Sequence, residues 1–428
     1  LDLIIRAFPS PLERTPPIAT TISGGPRPPL IADPAGPLCA EVIKTTTDPY
    51  VGKVSVVRVF SGTLRSDETV HVSGHFSAGT GHEDHDVDER IGALSALLGT
   101  ELRPIDRAIA GSVVAVSRLS RAETGDTLST PADPLIIEPW AMPEPLLPIA
   151  LVAHAAADDD RFGTALARLL AEDPTLRLDQ HSGQAVVWTM GEAHAEVVVD
   201  RLRTRFGVAV DAQELRLGLR ETFATSAIGV GRLVKQSGGH GQYAVCEIEV
   251  DPLPQGTGLE FVDRVVGGAI PRAFIPSVEK GIRQQMAQGV VAGYPVVDIR
   301  VTLRDGKAHS VDSSDMAFQT AGALALRDAA TKAQIAMLEP MLTLTVTVPD
   351  EHVGAVLADL STRRGQVTGT ESIAGGRSAI TALVPETEVS RYAIDIRSVT
   401  HGTGRFTREP AGFAPMPQAV VHRLLESS

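Results

Sequence analysis

The sequence predicts a multidomain α+β chain, with β-rich and mixed modules following one another in series. Two observations carry this. From Leu38 the chain runs in short alternating apolar stretches separated by turns, the pattern of a small β-barrel. The order strand, helix, strand, strand, helix, strand is then written twice, once from Leu146 and again from Leu342, and βαββαβ is the ferredoxin-like arrangement. A length of 428 residues fits about three domains.

LDLIIRAF, from Leu1, reads as the middle of an amphipathic helix, so the chain reads as part of something longer. Residues 8–37 are rich in proline and glycine (FPSPLERTPP, GGPRPPL, DPAGPL) and read as an extended linker. The barrel strands are CAEVIKT, KVSVVRVFSG, ETVHVSG and SVVAVSRL, followed by TGDTLS. Among them GHFSAGTGHEDHDVDE, Gly74 to Glu89, reads as a solvated loop. Its His75, His82 and His85 stand amid acids, residue types that suit divalent ions, but no fixed ligand spacing supports a metal site.

After the spacer PWAMPEP, Pro139 to Pro145, LLPIALVA is a strand and DDRFGTALARLLAEDP a helix with acids at its start. LRLDQHSGQAVVWTMG is a hairpin turning at Ser182 and Gly183. EAHAEVVVDRLRTRFG is a helix with its arginines toward the C-terminal end, where the helix dipole favours them, and VAVDA is the closing strand. His194 with Glu192 and Glu196 can be drawn as an acid–base or metal cluster. No nucleophile or second ligand sits in register, so the histidine reads as structural.

The next segment carries the chemistry. QSGGHGQYAV, Gln236 to Val245, places Gly238, Gly239 and Gly241 where backbone could come close to another molecule. His240 and Gln242 add donors and stacking surface suited to RNA. A second loop, KAHSVDSSDMAF, Lys307 to Phe318, carries His309, Val311, Asp312, Ser313 and Ser314. Ser313 or Ser314 is placed to cap a helix beginning at Asp315, and His309 can hydrogen-bond, stack or carry charge. The competing reading is a pair of glycine turns holding a scaffold.

In the second βαββαβ unit, LTLTVTV is the first strand, a helix runs from Pro349-Asp350 to Arg364, and Gly365 ends it. A hairpin turns near Gly375 and Gly376, ETEVSRYAIDIRSVT is the second helix, GTGRFTRE the last strand, and the final dozen residues a frayed tail. Arg363, Arg364 and Gly365 end one helix, while Arg397, Ser398, His401, Gly402 and Arg405 surround a later turn. Together they would make a phosphate-gripping face, or else simply complement the helix dipoles.

The net charge of −13 argues against an RNA partner only until its distribution is considered. Residues 231–336 hold 11 Lys/Arg against 11 Asp/Glu, a neutral segment in an acidic chain. Only 6 of the 39 basic residues are lysine, so phosphate contacts fall mainly to arginine. Cys39 and Cys246 are too few for a disulfide framework or zinc site and read as thiols of a reducing cytoplasm. Apolar runs fall short of the roughly 18–20 residues that span a bilayer, and no secretory signal is visible. A phosphate loop is absent: Gly52-Lys53 and Gly306-Lys307 are followed by Val and Ala.

The two loops, with GGAIPRAFIPSVEKGI and AGYPVVDIRVTL between them, resemble in this order domain IV of elongation factor G, the bacterial translocase. TDPYVGKVSVVRVFSGTL resembles domain II of translational GTPases, EDPTLRL and MGEAHAEVVVDRL domain III, and LSTRRGQVTGTES and IRSVTHGTGRF domain V. The resemblance implies a remnant of the GTPase-domain end and linker at 1–25, a β-barrel domain II at 26–138 and a ferredoxin-like domain III at 139–217. It places a ribosomal-protein-S5-like, RNA-entering domain IV at 218–337, a ferredoxin-like domain V at 338–415 and a tail at 416–428.

It further implies a cytoplasmic monomer, with no membrane partner, that binds the ribosome. The domain IV tip would meet 16S rRNA, tRNA and mRNA in the decoding centre, and domain V would approach 23S rRNA. GTP and Mg are expected in an N-terminal domain outside this chain, which itself has no catalytic residue, cofactor or metal. His309 matches the histidine that eukaryotic and archaeal relatives modify. Departures point to a paralogue: Met190-Gly191-Glu192-Ala193-His194-Ala195 stands for MGELHL, Val389-Ser390-Arg391-Tyr392-Ala393 for MFGYA, and His240 is unusual in its loop. The expected functions are translocation, ribosomal protection or rescue, or RNA binding without any GTPase.

Overall fold

The computed structural model describes residues 2–48, 52–75, 84–99, 101–140, 142–181, 183–235 and 241–427, in two units, Leu1–Leu215 and Arg216–Ser428. In the first unit a short helix, Asp2–Ala7, precedes the proline-rich stretch. That stretch is not all linker. Ala19–Thr21 forms a strand against Leu135–Ile137, because Ala19 and Leu30 bury with Cys39, Leu135 and Ile137.

The expected barrel strands form one eight-stranded sheet in the order His85–Arg90, Thr69–Gly74, Thr127–Ser129, Cys39–Asp48, Gly52–Ser61, Val113–Ser117, Leu94–Leu98, Glu101–Pro104. Among the described residues no ladder joins the two outermost strands, so the hydrogen bonding does not close a barrel. Both edges have a composition that discourages pairing: Asp86, Asp88 and Arg90 on one, Glu101, Arg103 and Pro104 on the other. The inward residues, among them Val42, Val57, Val59, Val70 and Val72, make the core. Part of the segment read as a solvated loop is therefore a strand, His85–Arg90, ordered by cross-strand contacts such as His71 to Asp88. Glu41 is buried on this sheet and accepts a hydrogen bond from Trp140 Nε1 at 3.2 Å.

The rest of the first unit has four antiparallel strands ordered Arg177–His181, Gln184–Thr189, Leu147–Ala153, Val210–Gln213, with helices Asp159–Glu172 and Glu192–Thr204. This is the ferredoxin-like order, with the first strand between the third and the fourth. Leu166, Leu169, Val198 and Leu202 on the helices pack on Leu151 and Val187 of the sheet.

The second unit begins with a sheet ordered Ala227–Lys235, Gln242–Pro252, Ile299–Lys307, Leu259–Asp263, whose last pair is parallel. Helices Ile275–Gln288 and Asp315–Lys332 complete its core. The longer helix lays Ala317, Ala321, Ala325 and Ala329 on the sheet, a stripe at the spacing that stacks side chains along one helix face. Small residues on both sides let the backbones approach. A Cβ on Gly231 would stand 1.8 Å from the Ala321 carbonyl oxygen, so only glycine fits there.

The strand expected from Leu342 starts earlier and is longer, Ile335–Pro349. Its first residues pair with Arg220–Phe223 at the base of the preceding sheet, and the remainder with Arg377–Pro385 and Arg405–Pro415. With Gln366–Ile373 and helices Val353–Thr362 and Tyr392–Val399 this is the second ferredoxin-like unit. Its first helix ends in left-handed backbone at Arg364 (φ 58°) rather than at Gly365. Glycine at 365 serves a close approach instead, since a Cβ there would lie 2.6 Å from the Leu360 carbonyl oxygen. The chain end is not frayed. Gln418–Ser427 is a helix whose Val420, Val421 and Leu424 pack on Leu219, Met337 and Met416. No helix among the described residues is long and apolar enough to cross a membrane.

Candidate nucleic-acid interface

Three strand ends meet at one end of the Ala227–Lys235 sheet. Gly238, Gly239 and His240 of the first loop lie outside the described residues; Gly241 and Gln242 are described. The second loop, residues 308–314, is knit to the first by two consecutive residues. The Asp312 carbonyl accepts the Tyr243 N–H at 2.8 Å, and its Oδ1 accepts the Gly241 N–H at 3.0 Å. A Cβ on Gly241 would press on that carboxylate at 3.0 Å, which suits glycine to the position. Ser313 Oγ donates to the Tyr243 carbonyl at 2.7 Å and accepts the His309 N–H at 2.8 Å.

The capping choice is resolved in favour of Ser314, whose side chain accepts the Ala317 N–H at the start of helix Asp315–Lys332. Asp315 in that first turn receives Ser277 Oγ at 2.5 Å, which ties the cap to helix Ile275–Gln288. The second loop is therefore tied down at Gly241 and Tyr243, with half-exposed His309 and exposed Val311 on its surface. The Tyr243 ring lies 5.9 Å from the His309 ring at a 52° tilt.

Charge is arranged along the same sheet. Arg232, Lys235 and Lys307, near the loops, are exposed and have no ion-pair partner among the described residues. Farther away Arg304 pairs with Glu249 at 3.5 Å and Arg300 with Glu260 at 2.9 Å. Three of the segment's exposed cations thus stand near the loops, where counterion release on RNA would favour them. These three cations and Tyr243 escaped sequence reasoning. The readable signal was strand alternation, which carries Arg232, Val234, Tyr243 and Val245 on one face.

The second group of candidates divides. Arg364 grips the carboxylate of buried Glu339 with both terminal nitrogens, at 2.5 and 2.8 Å, and Glu388 at 2.8 Å. Arg363 bridges Asp359 and Asp395 and stacks over Tyr392. Both guanidiniums serve the domain's own acids. Arg397, Ser398, His401, Gly402 and Arg405 are exposed, and His401 meets His352, at the start of helix Val353–Thr362, with ring centroids 5.6 Å apart. The ten-residue helix sets His401 about 15 Å from Arg363, whereas Arg397 follows Asp395, an ion-pair partner of Arg363, by two residues. His401 (φ 50°) and Gly402 (φ 81°) close helix Tyr392–Val399, with the Gly402 N–H on the Arg397 carbonyl at 2.8 Å.

The remaining candidates have local partners. His194 accepts the Met190 N–H on Nδ1 and meets Asp173 through Nε2 at 3.1 Å, pinning its helix start. His75 faces Asp86 at 2.8 Å and His85 faces Asp126 at 3.0 Å, two different directions; His82 lies outside the described residues. Cys39 and Cys246 are buried, and burial pushes both thiols up to about 12, so they stay protonated.

A β-rich module, a ferredoxin-like module, a two-helix sheet with a knit loop pair and a second ferredoxin-like module, in this order, define a multidomain α+β protein. Family models match each piece in turn: "Elongation factor G domain 2" over residues 37–131, "Elongation Factor G, domain III" over 142–214, "Elongation factor G, domain IV" over 217–334 and "Elongation factor G C-terminus" over 336–424. The chain belongs to the elongation factor G family, of which it carries domains II to V. It is 60% identical to an elongation factor G-like protein of Mycobacterium tuberculosis (strain CDC 1551 / Oshkosh) over 99% of its own length and 60% of that protein's. Against elongation factor G of Aquifex pyrophilus it is 39% identical, over 99% of the chain and 60% of the relative. A crystal structure of a Thermus thermophilus protein matches with a TM-score of 0.76 at 32% identity, covering all of this chain and 60% of that one. The chain thus spans about three fifths of the length of the relatives it matches.

Proposed function

We propose that this chain is the ribosome-binding part of a translation factor of the elongation factor G type, with the domain IV loop pair entering the decoding centre. The observation that carries this is the knit tip: Asp312 and Ser313 tie the second loop to Gly241 and Tyr243 beside Arg232, Lys235 and Lys307. An RNA-facing tip needs such pre-organisation, because ordering loops on binding costs affinity. Domain V contributes a second contact through Arg397, His401 and Arg405, without Arg363 and Arg364. The barrel-type domain II, GTP and Mg belong to the same reading, the nucleotide site lying outside these residues. The partners are 16S and 23S rRNA, tRNA and mRNA, and the setting is the cytoplasm.

Identity of 60% to an elongation factor G-like protein, against 39% to one named elongation factor G, favours a paralogue over the main translocase. A protection or rescue factor using the same tip is therefore the second reading. The test measures tRNA–mRNA movement on purified ribosomes with the full-length protein, beside release of stalled or drug-bound complexes. Movement that fails with His309→Ala supports translocation, and activity confined to stalled complexes supports the paralogue. Ribosome binding that ignores salt between about 50 and 200 mM would sink both, since several phosphate contacts require a steep fall.

A further inference from the structure

Resting on the reading of this loop pair as an RNA-facing tip, we propose that His309 acts there as a neutral hydrogen-bond donor. Its Nδ1 is engaged inside the loop, its Nε2–H is offered to an acceptor oxygen of RNA, and Asp312 is the residue that positions it. In a neutral imidazole one nitrogen donates and the other accepts, so the neighbours of one fix the role of the other. The Asp312 amide aims at Nδ1 from 3.2 Å and the Val311 amide from 3.4 Å. An amide keeps its proton, so Nδ1 must accept, and the ring proton resides on Nε2.

Other contacts hold the ring in that pose. The His309 N–H donates to Ser313 Oγ at 2.8 Å, its carbonyl accepts the Ser313 N–H at 3.3 Å, and its ring lies against Tyr243. Nε2 has no hydrogen-bond partner among the described residues, and the side chain is half-exposed. The competing arrangement is a doubly protonated ring donating from Nδ1 to Asp312 Oδ2, 3.2 Å away. That state would set the ring N–H against the Asp312 amide N–H. The Asp312 carboxylate is held through its other oxygen, Oδ1, by the Gly241 N–H. An outward Nε2–H selects acceptors and refuses RNA amino groups, a specificity that an arginine or lysine at this position would enforce only with added charge.

The chain is labelled with 13C,15N-histidine, and the His309 signals are assigned by their loss in His309→Gln. Long-range 1H–15N correlations at about pH 7.5 are expected to show the Nε2–H tautomer alone in the wild type. Asp312→Ala, which keeps the amide that aims at Nδ1, is expected to keep this tautomer, and an Nδ1–H pattern in the variant would overturn the amide as its cause. An Nδ1–H or imidazolium pattern in the wild type overturns the proposal whatever the activities. On purified ribosomes, His309→Gln, whose amide nitrogen reaches the Nε2 position, should stay within about threefold of the wild-type rate. His309→Asn, which reaches only Nδ1, and His309→Phe should lose about tenfold, the scale of one hydrogen bond. Equal loss in the Gln and Asn variants overturns the donor role. Full rates in all three with the Nε2–H pattern intact overturn the RNA-tip reading while the tautomer assignment stands.

Discussion

The two ends of domain IV use one device, a carboxylate that collects backbone N–H groups, and they use it to different effect. At the base, Glu221 is fully buried and accepts four amides: Val290 at 2.7 Å and Val291 at 2.9 Å on Oε2, Ala292 at 2.7 Å and Tyr294 at 3.1 Å on Oε1. At the tip, Asp312 is partly exposed and takes only the Gly241 amide on its carboxylate. A buried carboxylate needs all its partners, and removing it takes the acceptor from four amides at once. A partly exposed one can be replaced by solvent. The base is therefore an anchor whose failure unfolds the domain, and the tip is a positioned surface whose failure leaves the fold standing.

The largest effect should break the comparison at the base. Glu221→Ala strands four amides and should cost about 3–5 kcal/mol, read as a lower urea midpoint for the second unit. Glu221→Gln should recover only part of this, because its amide nitrogen replaces one of two accepting oxygens with a donor. A loss below about 1 kcal/mol for Glu221→Ala would mean that the nest contributes no stability.

A third carboxylate sharpens the contrast, because Glu41 is buried without such a nest. Burial pushes it from its ordinary 4.5 up to about 7, with Arg58 opposing. A carboxyl raised in the folded state favours folding while protonated, so its contribution is whole below about pH 4.5 and is lost as pH rises through 7. The first unit should lose roughly 1–2 kcal/mol over that window after allowance for solvent screening. Glu41→Gln should flatten the profile, and an unchanged profile in this variant would assign the dependence elsewhere.

At the tip the effects should be smaller still. Asp312→Ala should lower stability by about 1 kcal/mol, the scale of one hydrogen bond, while ribosome-dependent activity falls much further. His309→Ala should stay within about 0.5 kcal/mol, as exposed side chains do, with normal ribosome affinity. A drop of many degrees in the His309→Ala melting temperature with activity intact would make this histidine structural and erase the difference between the two ends.

What the sequence disclosed followed from local rules. Both βαββαβ units, the hairpins and the capped start at Ser314 are written in neighbouring residues, through periodicity, Gly turns and an N-cap hydroxyl. The tip was legible as two loops with donors, because those residue types cluster in the chain. What was hidden depends on partners far away in sequence. Glu221 meets Val290, 69 positions on, and Arg364 adopts left-handed backbone while Glu339, 25 residues earlier, holds its guanidinium. Arginine at a helix end looks the same in sequence whether it faces phosphate or a buried glutamate. The C-terminal helix was misread for the same reason: Val420, Val421 and Leu424 gain their meaning only beside Met337 and Leu219.

The strand Ile335–Pro349 has a consequence for how such proteins can be recombined. It begins as a partner of Arg220–Phe223 and continues, past a register shift between Pro340 and Leu342 against Arg405–Pro415, as the central strand of the last ferredoxin-like unit. Because side chains alternate from Leu342 onward, one residue inserted just after Leu342 would send every later one to the opposite face. No cassette boundary exists there. A crossover between two paralogues inside this stretch would have to keep register on both sides of it at once. The tip and the domain behind it should therefore travel through gene exchange as one module, and a chimera built to graft the loop pair of one relative onto another should carry everything from Arg216 onward.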